Sequence, residues 1–298
     1  MNSPLPTELQ TDSLRQLVRE GYTKIAQDTA AGCCSPGVSC CGSAPPAADQ
    51  LARELGYTVE ELQALPEGAN MGLSCGNPAA LAALKPGETV LDLGSGGGFD
   101  VFIAGRKVGA GGRAMGVDMT PEMLGKARKN IAHYRQETGL NNVEFRLGEI
   151  EHLPVADNSV DAIISNCVIN LSPDKAQVWR EMARVLKPGG RVAVSDMALV
   201  KPLPPEVLKI VETLVGCVAG AALVSETGRL AKAAGLSAIV LKVKSDYIEA
   251  MLDFEDPLYQ KIIELLPAGA KASDYLTSLE VQAVKPAGEC CGSNCCES

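Results

Sequence analysis

The chain has 298 residues, of which 46% are hydrophobic, and a formal net charge of -9 at pH 7. This length is enough for one large core with a small appendage. The negative charge argues against a sequence-independent grip on nucleic acid or anionic lipid. Small molecules are therefore the expected partners, and neither nucleic acid nor a membrane is expected.

The N-terminal segment lacks the basic and apolar regions of a secretory signal, and no run approaches the ~20 apolar residues that a membrane span needs. A cytoplasmic location is therefore expected. In that compartment the eleven cysteines are more often thiols that bind metal, react or shuttle electrons than permanent disulfides.

The first predicted element is a helix over residues 10–30. It is followed by a Gly/Pro/Ser-rich loop with paired cysteines, and a similar segment ends the chain. Both segments are predicted to be mobile because they are too polar and too rich in glycine and serine to form a core. Their cysteines are Cys33, Cys34, Cys40, Cys41, Cys290, Cys291, Cys295 and Cys296.

Strands and amphipathic helices alternate in the middle of the chain. The predicted strands are "ETVLDLG", "GRAMGVDM", "VEFRLGE", "VDAIISN" and "RVAVSDM", and the helix before the last one is taken to include "VLKPGG". Apolar strands that alternate with helices indicate an α/β fold with a parallel sheet covered on both faces. Right-handed crossovers make that sheet doubly wound and Rossmann-like.

Helices are predicted next near residues 205–222 and 225–234, followed by a strand at 236–245. The final apolar segment, 275–286, is expected to return to the sheet as an antiparallel edge hairpin with 236–245. We divide the chain into an N-terminal helix and cysteine-rich loop (1–48), a nucleoside-binding domain (49–235), a small C-terminal α+β region (236–286) and a cysteine-rich tail (287–298).

The turn "VLDLGSGGGFD" is the strongest binding signal. Its glycines, Gly94, Gly96 and Gly98, allow backbone N–H groups to approach a ligand, but Phe99 breaks the dinucleotide fingerprint. Asp118 ends the second strand about 20 residues later, a distance at which an acid can accept the ribose hydroxyls of an adenosine-containing ligand. The alternative is a plain tight turn followed by an acid that starts a helix.

Together, "ETVLDLGSGGGFD", "GVDMTPEML" and "EMARVLKPGGRVAVSDM" resemble the motifs of class I S-adenosylmethionine-dependent methyltransferases. More narrowly, "MGLSCGNP", "SNCVINLSPDK" and "VGCVAGA" resemble arsenite methyltransferases. The resemblance implies that the methyl donor is surrounded by Asp92, Gly94, Ser95, Gly96, Asp118, Met119, Glu149, Ile150 and Asn166. It also implies that trivalent arsenic is bound by Cys75, Cys167 and Cys217.

The resemblance further implies a disulfide between Cys75 and an N-terminal cysteine, Cys40 or Cys41. Such a bond would connect methyl transfer to a thiol reductant, glutathione or thioredoxin, as co-substrate. The cysteines of the C-terminal tail are expected to collect arsenite. For these cysteines and for Cys33 and Cys34, binding of zinc or copper(I), or no role beyond staying reduced, stays an alternative.

The chemistry of Cys75, Cys167 and Cys217 agrees with the implied binding of trivalent arsenic, because thiolates are soft ligands that select thiophilic centres. Burial as small hydrophobes is the competing interpretation, and Cys217, in an apolar run, fits it best. Two rival functions follow: a methyltransferase for a carbon, oxygen or selenium acceptor with structural cysteines, or a non-enzymatic, thiol-rich protein that binds arsenic or metal.

Overall fold

The structure is a computed structural model that describes residues 8–27, 48–207, 218, 220–244, 246–253 and 257–287. Its strands are β1 (Thr89–Leu93), β2 (Arg113–Asp118), β3 (Val143–Leu147), β4 (Val160–Asn166), β5 (Leu186–Leu199), β6 (Ala222–Leu223), β7 (Ser237–Lys244) and β8 (Leu276–Val284). They form one central sheet in the order β3-β2-β1-β4-β5-β8-β7, with β6 paired to β5.

Helices cover the sheet, and none of those described has both the length and the apolar character to cross a membrane. They are α1 (Glu8–Gln27), α2 (Ala48–Glu54), α3 (Val59–Gln63), α4 (Pro78–Leu81), α5 (Phe99–Val108), α6 (Pro121–Thr138), α7 (Lys175–Val185), α8 (Val224–Ala233), α9 (Asp246–Asp253) and α10 (Pro257–Leu265). Short 3-10 helices lie at Ile169–Leu171 and Ala272–Asp274.

The sheet separates two apolar cores, as expected for a sheet covered on both faces. Successive residues of β4 show this alternation: Ile163 packs with Trp179 of α7 and Leu230 of α8, whereas Ile164 packs with Phe102 of α5. The predicted doubly wound α/β fold is confirmed.

The strand order reverses at β1, which pairs in parallel with both β2 and β4. Helical crossovers leave this point on opposite faces of a doubly wound sheet, so a crevice opens beyond the carboxyl ends of β1 and β4. The fold therefore directs attention to the residues that follow Leu93 and Asn166.

The predicted antiparallel edge is also confirmed. β8 pairs antiparallel with β7 on one side and with β5 on the other, so both strands from region 236–286 belong to the main sheet. The division of the chain into four parts stays a prediction.

Two predicted helix ends were wrong. The helix expected to reach Gly190 ends at Val185, and β5 begins at Leu186. Pro188 explains the change, because proline disfavours helical backbone in the residue before it, and Gly189 adopts a positive φ of 79°. The helix expected near 205–222 lies mostly outside the described residues, and Ala222 is already part of β6.

Candidate active site

The turn after β1 packs against the segment that carries Cys167. Gly94, Gly96 and Gly98 have positive φ angles of 68°, 49° and 93°, a region that glycine enters without steric cost. A Cβ at Gly94 would clash with Val168, the neighbour of Cys167. The close contact between these two loops therefore requires glycine at position 94.

The carboxylate of Asp118, at the end of β2, is bonded to this turn. Its oxygens accept hydrogen bonds from the backbone N–H of Gly96 at 2.9 Å and of Thr120 at 2.8 Å. Burial raises the pKa of Asp118, although these hydrogen bonds lower it. The predicted glycine turn and strand-end acid thus form one continuous surface.

A cavity opens at this edge of the sheet, and its charged groups are mainly acidic. Asp92, Asp100, Asp118 and Glu151 line it together with Arg15. Burial, reinforced by the nearby Asp100 and Asp118, raises the pKa of Asp92 well above its usual range. Acidic surroundings favour a cationic ligand and oppose the phosphates of a dinucleotide.

Nearly all the residues predicted to surround a methyl donor line this cavity, namely Asp92, Gly94, Ser95, Gly96, Asp118, Met119, Ile150 and Asn166. The hydroxyl of Ser95 is buried and has no hydrogen-bond partner within the described part of the chain. This hydroxyl is therefore available for a hydrogen bond to a bound ligand. The remaining residue of the predicted set, Glu149, is not part of the cavity lining.

Glu149 instead pairs with helix α1, which covers one side of the cavity. Its carboxylate lies 3.5 Å from Arg15 and 3.6 Å from Arg19, and Arg15 also lies 3.5 Å from Glu151. Val18 and Tyr22 of α1 line the cavity. Sequence reasoning missed this contribution, although the four-residue spacing of the two arginines marks one face of the helix.

Cys75 and Cys167 meet at the floor of the site. Their sulfur atoms are in direct contact and the structure joins them as a disulfide, with the Cα atoms 6.1 Å apart, a separation that disulfides ordinarily span. Both are buried, with 2% and 8% of their surface exposed, and Cys167 also lines the cavity. The two sulfur atoms are thus placed together at the boundary of the cavity.

The side chain of Asn166 connects the two cysteine loops. Its Oδ1 accepts a hydrogen bond from the N–H of Cys75 at 2.9 Å, and its Nδ2 donates to the carbonyl of Gly76 at 2.9 Å. The Nδ2 group also lies 3.2 Å from a carboxylate oxygen of Asp100. Burial raises the pKa of Asp100 to about 6, against hydrogen bonds from Tyr57 and Asn166 that lower it.

Asp196 is a third polar group at the cysteine pair, and sequence reasoning missed it. Its carboxylate and the two sulfurs lie within 4.8 Å of one another. It accepts hydrogen bonds from the backbone of Ile169 at 2.9 Å and from the Asn170 side chain at 2.8 Å. Burial raises its pKa to about 7. Asp196 lies near the carboxyl end of the predicted strand "RVAVSDM", so a search for acids close to strand ends, like the one that singled out Asp118, would also have identified it.

Several predicted cysteines lie outside the described residues: Cys217, Cys40, Cys41 and the other cysteines of the two terminal segments. The pairing of Cys75 with Cys40 or Cys41 therefore stays a prediction. Close to Cys217 in sequence, Val218 is buried in the same apolar cluster as Cys75 and Cys167. A Cβ at Gly220 would clash with the carbonyl of Asn170.

Comparison with known proteins identifies the family. A family model described as a methyltransferase domain matches residues 84–235. An arsenite methyltransferase from Halobacterium salinarum is 42% identical over 96% of this chain and 70% of its own length. Another, from Aquipseudomonas alcaligenes, is 44% identical over 59% of this chain and 51% of its own length.

The fold comparison agrees. The crystal structure of an arsenic(III) S-adenosylmethionine methyltransferase from Chlamydomonas reinhardtii superimposes with a TM-score of 0.60 and 33% identity, covering 82% of this chain and 76% of that one. The chain belongs to the arsenite methyltransferase family.

Proposed function

We propose that this protein transfers a methyl group from S-adenosylmethionine to trivalent arsenic bound by cysteine thiolates, which gives methylated arsenicals. One observation carries the proposal: two cysteine sulfurs meet at the boundary of a carboxylate-lined cavity. The rival acceptors, carbon, oxygen or selenium, give no reason for that convergence. A non-enzymatic, arsenic-binding role gives no reason for the intact glycine turn.

The donor side of the site fits S-adenosylmethionine. Asp118 offers acceptor oxygens for ribose hydroxyls, and the hydroxyl of Ser95 has no hydrogen-bond partner among the described residues. The carboxylate of Asp100, whose pKa is raised to about 6 by burial, is ionised above that pH and favours a positive charge in the cavity. When bound, S-adenosylmethionine supplies an electrophilic methyl group on a sulfonium. The remaining predicted donor residues, Gly94, Gly96, Met119, Ile150 and Asn166, are proposed to enclose it.

The acceptor side fits trivalent arsenic as substrate. Sulfur is a soft ligand that suits a soft, thiophilic centre, and three thiolates in a pyramid leave the arsenic lone pair free. Cys75 and Cys167 are proposed to supply two of the sulfurs and Cys217 the third. The proposal for Cys217 is supported by Val218, which packs with the cysteine pair. Holding donor and acceptor in line can lower the barrier by ~7–11 kcal/mol.

A thiol reductant is proposed as co-substrate, glutathione or thioredoxin. A disulfide between Cys75 and Cys167 offers no thiolate to arsenic, so it has to be opened first. Two reductant thiols would reduce it by exchange, leaving two protein thiols and one reductant disulfide. Cys40 and Cys41 are proposed to take part in the same exchange with Cys75. Reduction of this kind suits a cytoplasmic location, which we also propose.

The decisive experiment uses purified protein, arsenite, methyl-labelled S-adenosylmethionine and glutathione, followed by separation of the arsenic species. We expect label in methylated arsenic, with no product when either arsenite or glutathione is omitted. Absence of methylated arsenic under reducing conditions, in a protein that still binds S-adenosylmethionine, would refute the proposal.

A further inference from the structure

The backbone of Cys75 is held at both of its polar groups by residues that are distant in sequence. Its N–H donates to Asn166 Oδ1, as described above, and its carbonyl accepts a hydrogen bond from the Ser278 hydroxyl at 2.9 Å. Ser278 lies on β8, 203 positions further along the chain. Cys75 is thus hydrogen-bonded directly to the antiparallel edge of the sheet.

The position of Ser278 separates it from the donor cavity. It is 2% exposed, faces Met197 across the β5–β8 ladder and is not part of the cavity lining. Asn166, in contrast, lines the cavity as well as holding Cys75. Ser278 therefore offers a contact to the cysteine pair that can be altered without touching the donor surface.

The bond to Ser278 matters because Cys75 lies in irregular structure. The loop between α3 and α4 has no sheet or helix ladder to fix it. A buried carbonyl that loses its hydrogen-bond partner is destabilised, so the loop would shift to expose that carbonyl to water. Such a shift would draw the sulfur of Cys75 away from Cys167.

We propose that Ser278 is a positioning residue for the acceptor site, which holds Cys75 in register with Cys167. The expected effect on arsenic binding rests on the proposed function. The expected effect on the position of Cys75 relative to Cys167 does not. It makes the C-terminal strand a component of the arsenic site: β8 contributes no arsenic ligand, yet it sets the distance between two of them.

The test compares Ser278→Ala with Thr277→Ala in the full-length chain. Thr277 is the adjacent residue of β8 and is fully buried. Its hydroxyl donates a hydrogen bond to the carbonyl of Ser278 at 2.8 Å and accepts one from the N–H of Lys244 at 3.2 Å. Both variants lose one buried hydroxyl of the same strand, so a general loss of stability affects both. Of the two hydroxyls, that of Ser278 is hydrogen-bonded to Cys75, whereas the hydrogen bonds of the Thr277 hydroxyl go to Ser278 and Lys244.

Two measurements separate positioning from stability. In the first, the fraction of Cys75–Cys167 disulfide is followed by peptide mass mapping across glutathione buffers of fixed redox ratio. We expect Ser278→Ala to lower its equilibrium constant about tenfold, which corresponds to about 1.4 kcal/mol. In the second, we expect Ser278→Ala to raise the KM for arsenite about tenfold, while kcat and the Kd of S-adenosylmethionine change less than about twofold. Thr277→Ala should leave the disulfide equilibrium constant, KM, kcat and this Kd nearly unchanged.

Ser278→Thr keeps the hydroxyl. It should restore the disulfide equilibrium constant and the KM for arsenite to within about threefold of the parent values. Equal shifts in the Ala variants at 277 and 278, or an unchanged disulfide equilibrium in Ser278→Ala, would overturn the inference. Because the disulfide measurement contains no arsenic, it still decides the geometric claim if the parent protein proves unable to methylate arsenite.

Discussion

The two halves of the site are built in different ways. The donor half comes from neighbouring strand ends, where the turn of Gly94–Gly98 meets Asp118 through a backbone hydrogen bond. The acceptor half brings together Cys75 and Cys167, 92 positions apart. A local motif thus builds the first, while long-range side-chain contacts hold the second.

This difference predicts that the halves can be damaged separately. Cys167→Ser should abolish methylation of arsenite because serine offers a hard oxygen in place of a soft thiolate. The Kd of S-adenosylmethionine, measured by calorimetry, should change little. Cys290→Ser, the same substitution in the C-terminal tail, is the matched control and should keep its turnover. Unchanged turnover in Cys167→Ser would show that Cys167 is a buried packing residue and does not bind arsenic.

Gly94 is the point where the halves touch, so its substitution should damage both. A Cβ there clashes with Val168, and the positive φ costs a further ~1–2 kcal/mol for an L side chain. We expect Gly94→Ala to weaken S-adenosylmethionine binding by at least about tenfold and to lower kcat as well. Gly125→Ala, in an open position of α6, is the control. A normal kcat in Gly94→Ala at saturating donor would show that the loops act independently.

The carboxylates of the cavity predict a smaller, pH-dependent effect. The pKa of Asp100 is raised to about 6 by burial, so this group is ionised above that pH and neutral below it. A sulfonium favours the ionised form, and affinity for S-adenosylmethionine should therefore fall as the pH drops. Between pH of about 7.5 and 5.5, one such group predicts a rise in Kd of about fourfold.

S-adenosylhomocysteine lacks the sulfonium charge and provides the control ligand. Its Kd, measured by calorimetry in the same buffers, should change less across that range. An equal change for both ligands would assign the pH dependence to other groups.

The tail should matter least for turnover. Deletion of residues 287–298 removes Cys290, Cys291, Cys295 and Cys296, which we expect to collect arsenite without taking part in transfer. The number of arsenic atoms bound per chain, measured by mass spectrometry, should fall while kcat stays within about twofold. An inactive truncation that still folds would contradict a collecting role.

The donor half and most of the fold could be predicted from the sequence because they depend on local patterns. The strands, the crossover helices and the donor turn follow from local periodicity and from the acid that ends β2, and all of them appear in the structure. The errors at Gly190 and Ala222 fall at helix ends, where local signals are weakest.

The acceptor half could not be predicted in the same way. Nothing near Asn166 in sequence indicates that its amide holds the Cys75 loop, and nothing near Ser278 indicates a contact 203 positions away. The contribution of α1 to the cavity also depends on tertiary packing. Local signals existed only for Asp196, which lies near the end of a predicted strand, and for the two arginines of α1, which share one helix face.

The most direct test of the central claim is the position of arsenic itself. A crystal structure of the reduced protein with arsenite and S-adenosylhomocysteine, recorded with anomalous scattering at the arsenic edge, would locate it. We expect one arsenic atom bonded to the sulfurs of Cys75, Cys167 and Cys217, facing the sulfur of the bound nucleoside. Arsenic bonded elsewhere, with Cys75 and Cys167 still free of it under reducing conditions, would contradict the account.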